Sequence, residues 1–128
     1  MSMLKPRGIP IVLEGVERRL LFTLNVIDAI QDETGQKVDE LIEQLTDEEK
    51  ASKTIRYLTR VLLNDEAERE KRKDPECELK PITENEIGEL IGLDNVNEIT
   101  VAVLRAYGYS LPEADDDDPN RESGRQNS

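Results

Sequence analysis

The chain has 128 residues, 29 acidic against 17 basic, for a net charge of −12 at neutral pH, with one cysteine, no histidine and no tryptophan. A lone Cys77 excludes an internal disulfide and a cysteine-based zinc site, and the lack of histidine removes Ser-His and Cys-His catalysis and histidine acid–base chemistry. The acidic balance repels phosphate backbones, and one Phe with three Tyr leaves little on which bases could stack, so nucleic-acid binding is not expected.

Residues 1–8 contain Pro6 and Gly8 without periodicity and read as a flexible lead-in. From Ile9 the residues are β-branched or leucine up to Glu14-Gly15, a turn that glycine permits, and a return strand follows from Val16 to Phe22. Its alternation puts Val16, Arg18, Leu20 and Phe22 on one face and Glu17, Arg19 and Leu21 on the other. Pro10 cannot donate to a ladder, which places the first strand at an edge. Two strands alone are marginal in water, so the hairpin must lie on something apolar.

A helix from Leu24 to Thr34 comes next, capped by Thr23 or Asn25, with Leu24, Ile27 and Ile30 at helical spacing and Gly35 as its stop. Val38, Leu41, Ile42 and Leu45 form the stripe of a short helix from Val38 to Leu45. Thr46-Asp47-Glu48-Glu49 has capping-box spacing and predicts the start of a long helix with Ala51, Ile55, Leu58, Val61 and Leu62 inside. After Leu63 that helix turns charged, and its last turns up to Lys73 are expected to project into solvent or fray. Asp74 to Pro81 is a connector. Thr83-Glu84-Asn85-Glu86 repeats the capping-box spacing and opens a short helix with Ile87, Leu90 and Ile91 inward. A last helix, capped by Asp94 or Asn95, buries Val96, Ile99, Val103 and Ala106 and ends at Gly108.

These readings give a mainly α fold: one domain over residues 9–111 with about five helices and an N-terminal β-hairpin, followed by an acidic tail over 112–128 that cannot repay its ordering entropy. No run is long and apolar enough for a membrane span, and the N-terminus has no signal-peptide character, so a soluble intracellular protein is expected.

No catalytic or metal-binding constellation stands out, so neither enzymatic activity nor a cofactor is expected. Asp115 to Asp118 lack the glycine-turn spacing of a calcium loop and read as a solvating tail. Glu84, Glu86 and Glu89 sit where caps and the helix dipole explain them. Arg69, Lys71, Arg72 and Lys73 are interleaved with acids and form no basic patch. The Ile87–Ala106 segment has a helix-turn-helix outline, but Asn97, Glu98, Val101 and Val103 are poor readers of base edges. Function is therefore sought in protein–protein contact, by strand addition or helix-in-groove. The candidate partner-binding residues are Ile9, Ile11, Leu13, Leu20 and Phe22 of the hairpin unit, and Tyr107 and Tyr109 beside Gly108. Self-association at the exposed hairpin edge is a further expectation.

The order of elements carries a resemblance. A hairpin with Glu14-Gly15 at its tip, Leu20-Leu21-Phe22-Thr23 leading into a helix with Ile27 and Ile30, Gly35 before Val38-Asp39-Glu40-Leu41, and the late Thr83-Glu84-Asn85-Glu86-Ile87-Gly88-Glu89-Leu90-Ile91 segment resemble the tail assembly chaperones of long-tailed bacteriophages and prophages over residues 9 to 109. The resemblance implies a helical, non-enzymatic protein of the host bacterial cytoplasm that coats the tape-measure protein while tail-tube subunits polymerise around it. It also implies that a longer frameshifted product recruits the tube protein, and that the chaperone is absent from the finished particle. Two other readings stand beside it: an acidic inhibitor or DNA mimic that occupies a basic partner, and a permanent connector or completion protein of the tail.

Overall fold

Among the described residues two strands, β1 (Ile9–Leu13) and β2 (Val16–Leu20), lead into five helices: α1 (Leu24–Thr34), α2 (Val38–Gln44), α3 (Ala51–Lys73), α4 (Glu84–Leu90) and α5 (Val96–Ser110). The computed structural model describes residues 7–110, which leaves the acidic segment from residue 111 onward, and residues 1–6, outside the described part. The mainly helical fold with an N-terminal antiparallel hairpin agrees with the sequence reading.

The hairpin closes with Leu13 opposite Val16 and runs to Ile9 opposite Leu20. Its two-residue turn has positive φ at both positions, 51° at Glu14 and 79° at Gly15, the type I′ pattern that matches the strands' twist. β2 ends at Leu20, two residues before the expected Phe22. The chain then leaves the sheet, and this lets Leu20, Leu21 and Phe22 all be buried in succession. Thr23 caps α1, its Oγ1 accepting the Val26 N–H at 3.2 Å, and Gly35 stops the helix in the left-handed region.

α3 is the spine. It spans 23 residues, about 34 Å at 1.5 Å per residue. The hairpin packs on it through β2, α1 and α2 lie along it, and α4 runs back antiparallel beside it. Three contacts mark that return: the Asn64 side chain holds the Ile82 backbone through both N–H and C=O, Arg60 meets Glu84, and Arg56 lies over Gly88. α5 then crosses to pack against β1. Leu20, Ile30, Leu58, Leu62, Leu63, Ile87 and Ile99 are fully buried where these layers meet, each such side chain contributing roughly 2 kcal/mol.

The structure corrects four details. In α1 the inward residues are Val26 and Ile30, while Leu24 is 77% exposed, because contact with α3 selects one of two overlapping apolar stripes. The Thr46 capping box does not form: Thr46 Oγ1 donates to the Glu43 carbonyl at 2.8 Å, Asp47 accepts the Glu49 N–H, and α3 begins only at Ala51. The charged stretch of α3 is not solvated from its start, since Asp65, Glu66 and Ala67 are buried, Glu66 on Arg18 of the hairpin and Asp65 on Thr23, whereas Lys71, Arg72 and Lys73 of the last turn are exposed as expected. Gly108 does not end α5, which continues to Ser110; helical φ is open to glycine as to any residue. The Thr83–Glu86 capping box forms as expected, with both reciprocal hydrogen bonds present.

Candidate interaction surfaces

The hairpin has two outer edges, and they are treated differently. On the β2 side, Arg19 donates its backbone N–H to Glu66 Oε2 at 2.9 Å, so a side chain of α3 occupies a position where another strand would bond. The same carboxylate takes Arg18 Nε at 2.6 Å through Oε1, and Arg18 Nη2 reaches the Leu63 carbonyl at 3.1 Å. On the β1 side no strand pairs among the described residues. Pro10 lies opposite Arg19, where the ladder needs no N–H because that of Arg19 points away to Glu66. It leaves the free edge one donor short, a usual defence against strand addition.

Beside that edge is an apolar seam. Ile9, Pro10 and Ile11 face Val101, Ala102 and Arg105 of α5 across a crevice of about 380 Å³. Val101 is 47% exposed, and Leu104 and Val12 are exposed nearby in sequence on the same two elements. A second crevice of about 340 Å³ lies where α1, α2 and α5 converge, with Phe22, Ile27, Val38 and Tyr107 on its walls. Phe22 and Tyr107 meet there edge-to-face, ring centroids 6.0 Å apart and planes at 81°, a favoured aromatic geometry.

A third recess, wider than these two, is a cleft of about 500 Å³ between the first turns of α3, α4 and the start of α5, walled by Ile55, Ile87, Ile91 and Val96, with Arg56 and Thr100 among its polar groups. Sequence reasoning did not find it, because its walls come from three helices whose relative placement no local pattern states. One local clue exists: Leu93 is an apolar residue in a polar turn, and it is 97% exposed at the cleft's rim.

The candidates named from sequence are thus distributed. Ile11, Leu13, Leu20 and Phe22 are buried core residues, Ile9 and Tyr107 are half-buried at the two crevices, and the Tyr109 side chain lies outside the described residues. Ile9 and Ile11 come together at the α5 seam, and Phe22 comes together with Tyr107.

A polar cluster ties α1, α3 and α4 on another face. Tyr57 donates to Glu33 Oε1 at 2.7 Å, Arg60 bonds both Glu33 and Glu84, and its guanidinium stands 5.2 Å over the Tyr57 ring. Burial, followed by the bond to the Glu33 carboxylate, raises the Tyr57 pKa well above the ordinary tyrosine range. Among the described residues no group of three or more Cys, Asp or Glu is placed to hold a metal ion, and no helix is long and apolar enough to cross a membrane.

The geometry defines a small helical protein whose open features are apolar recesses on a strongly acidic exterior. No protein-family model, curated protein or solved structure matches the chain.

Proposed function

We propose that this chain is a tail assembly chaperone of a long-tailed bacteriophage or prophage, which binds the tape-measure protein and keeps it soluble in the host cytoplasm while the tail tube assembles. The observation that carries the reading is the order of elements over residues 9 to 109: a hairpin tipped by Glu14-Gly15, a Thr23-capped helix stopped by Gly35, a short acidic helix, and a Thr83-capped helix before the last one. The surface is compatible with the role. A holder of long amphipathic helices needs apolar recesses to grip and repulsive charge to stay dispersed; the seam between β1 and α5 supplies the first and the net charge of −12 the second. Tail-tube protein is a partner of the longer frameshifted form in this reading.

Co-expression with a fragment of the tape-measure protein encoded by the same phage tests it. The soluble fraction of the fragment should rise, and the complex should survive high salt because apolar contacts hold it. An unchanged soluble fraction with both proteins well expressed refutes the reading. A complex with a basic protein that dissolves as salt increases would instead support the acidic-inhibitor alternative.

A further inference from the structure

Three features at the 500 Å³ cleft have no use within one chain. Its accessible apolar lining comes from the half-buried Leu45, Ala51, Ile91 and Val96, above a floor of Ile55 and Ile87 that the core already buries. Arg56 places its guanidinium over Gly88, so close that a β-carbon there would fall 2.8 Å from Cζ, yet among the described residues it has neither hydrogen bond nor ion pair. At the rim, the turn after α4 displays Leu93 almost wholly to solvent, followed by Asp94, whose carboxylate also has no bonded partner among the described residues.

The display is held rather than loose. Asn95 Oδ1 accepts the Gly92 N–H at 2.8 Å, and the Asn95 amide donates to the Leu90 carbonyl at 3.0 Å, so one side chain pins the turn on either side of Leu93. Presentation of an apolar side chain from a pinned turn avoids much of the ordering cost of binding.

We propose that a second copy of this chain fills the cleft, Leu93 of each protomer entering the apolar walls of the other and Asp94 meeting the partner's Arg56. An apolar side chain followed by a carboxylate is the complement of an apolar cleft that holds one unpaired guanidinium. Because the Leu93 turn lies on the rim of its own cleft, a two-fold axis at that rim brings both insertions about at once, an isologous contact that closes on itself. The pairing also answers the obstacle that a chain of net charge −12 repels its copy: each protomer places one cation and one anion of the pair at the contact. Glu48, which lines the cleft on its α2 side, is exposed. This inference does not depend on the chaperone reading.

Sedimentation velocity on the full chain, over roughly 1 to 200 µM, tests it. The wild type should pass from monomer to dimer across the series. Leu93→Ser should weaken the dimer by about tenfold or more, and Arg56→Glu or Asp94→Arg alone should abolish it. The double variant Arg56→Glu/Asp94→Arg, and equally a mixture of the two single variants, should restore it. Circular dichroism on each variant checks that the fold is intact. A wild type that stays monomeric throughout overturns the proposal. So does a dimer indifferent to these substitutions, which would lie on another face such as the β1 edge, and so does failure of the charge swap to restore association between folded variants. A wild-type monomer whose cleft becomes protected from hydrogen exchange only with a tape-measure fragment would assign the cleft to that client instead.

Discussion

Glu66 of α3 grips Arg18 of β2 through Oε1 at 2.6 Å, both side chains being about nine-tenths buried, and its second oxygen holds the neighbouring Arg19 N–H. One carboxylate therefore both neutralises a charge on the hairpin's inner face and closes the hairpin's edge. Glu66→Ala leaves the guanidinium buried with only the Leu63 carbonyl, and the expected loss is about 3 to 5 kcal/mol. Replacing both partners, Arg18→Met with Glu66→Leu, should cost far less, since neither charge is then buried. Urea midpoints for Arg18→Met, for Glu66→Leu and for the pair close a double-mutant cycle; a cycle with no coupling would show that the two residues act independently.

The hairpin turn carries a correctable strain. Glu14 sits at φ 51°, a region that asparagine and glycine tolerate better than glutamate, in the first position of a type I′ turn. Glu14→Asn is expected to raise stability by about 0.5 to 1 kcal/mol without changing the fold. Thermal unfolding of the variant checks it, and an unchanged or lower midpoint would mean that the turn is not held as described.

Tyr57 makes stability depend on pH in the alkaline range. Its folded pKa lies above the unfolded value of 10.0, so between the two the unfolded chain has released the phenol proton and the folded chain has not. With fewer protons bound in the unfolded state, stability falls as pH rises. The contribution is intact below pH 10 and declines above it. Melting temperatures measured on both sides of that pH should decline more steeply for wild type than for Tyr57→Phe, and phenolate absorbance should show one tyrosine titrating late.

Thr59 is fully buried in α3, and its hydroxyl has no hydrogen-bond partner among the described residues. Removing a polar group that nothing satisfies recovers its desolvation cost, so Thr59→Val should be neutral or raise stability by up to about 1 kcal/mol. Denaturant unfolding decides the matter. A loss of similar size would mean that the hydroxyl is satisfied in solution.

What the sequence determined by itself was local. The Glu14-Gly15 turn, the Gly35 stop and the Thr83 capping box all depend on groups within a few residues of one another and could be named from spacing alone, as could Thr23 as one of two candidate caps of α1. Helix periodicity likewise marked Ile55, Leu58, Val61 and Leu62 as inner residues of α3. The tertiary structure decided everything that required a distant partner. Asp65 and Glu66 read as the start of a solvated charged stretch, because their partners Thr23, Arg18 and Arg19 stand 42 to 48 residues earlier in the chain. The false capping box at Thr46 shows the same limit from the other side: the correct spacing was present, but the threonine turned back to Glu43 as the chain left α2. The cleft was invisible for the same reason. Arg56 and Leu93 are 37 positions apart, and only the antiparallel return of α4 along α3 brings an unpaired cation and an exposed leucine to one rim.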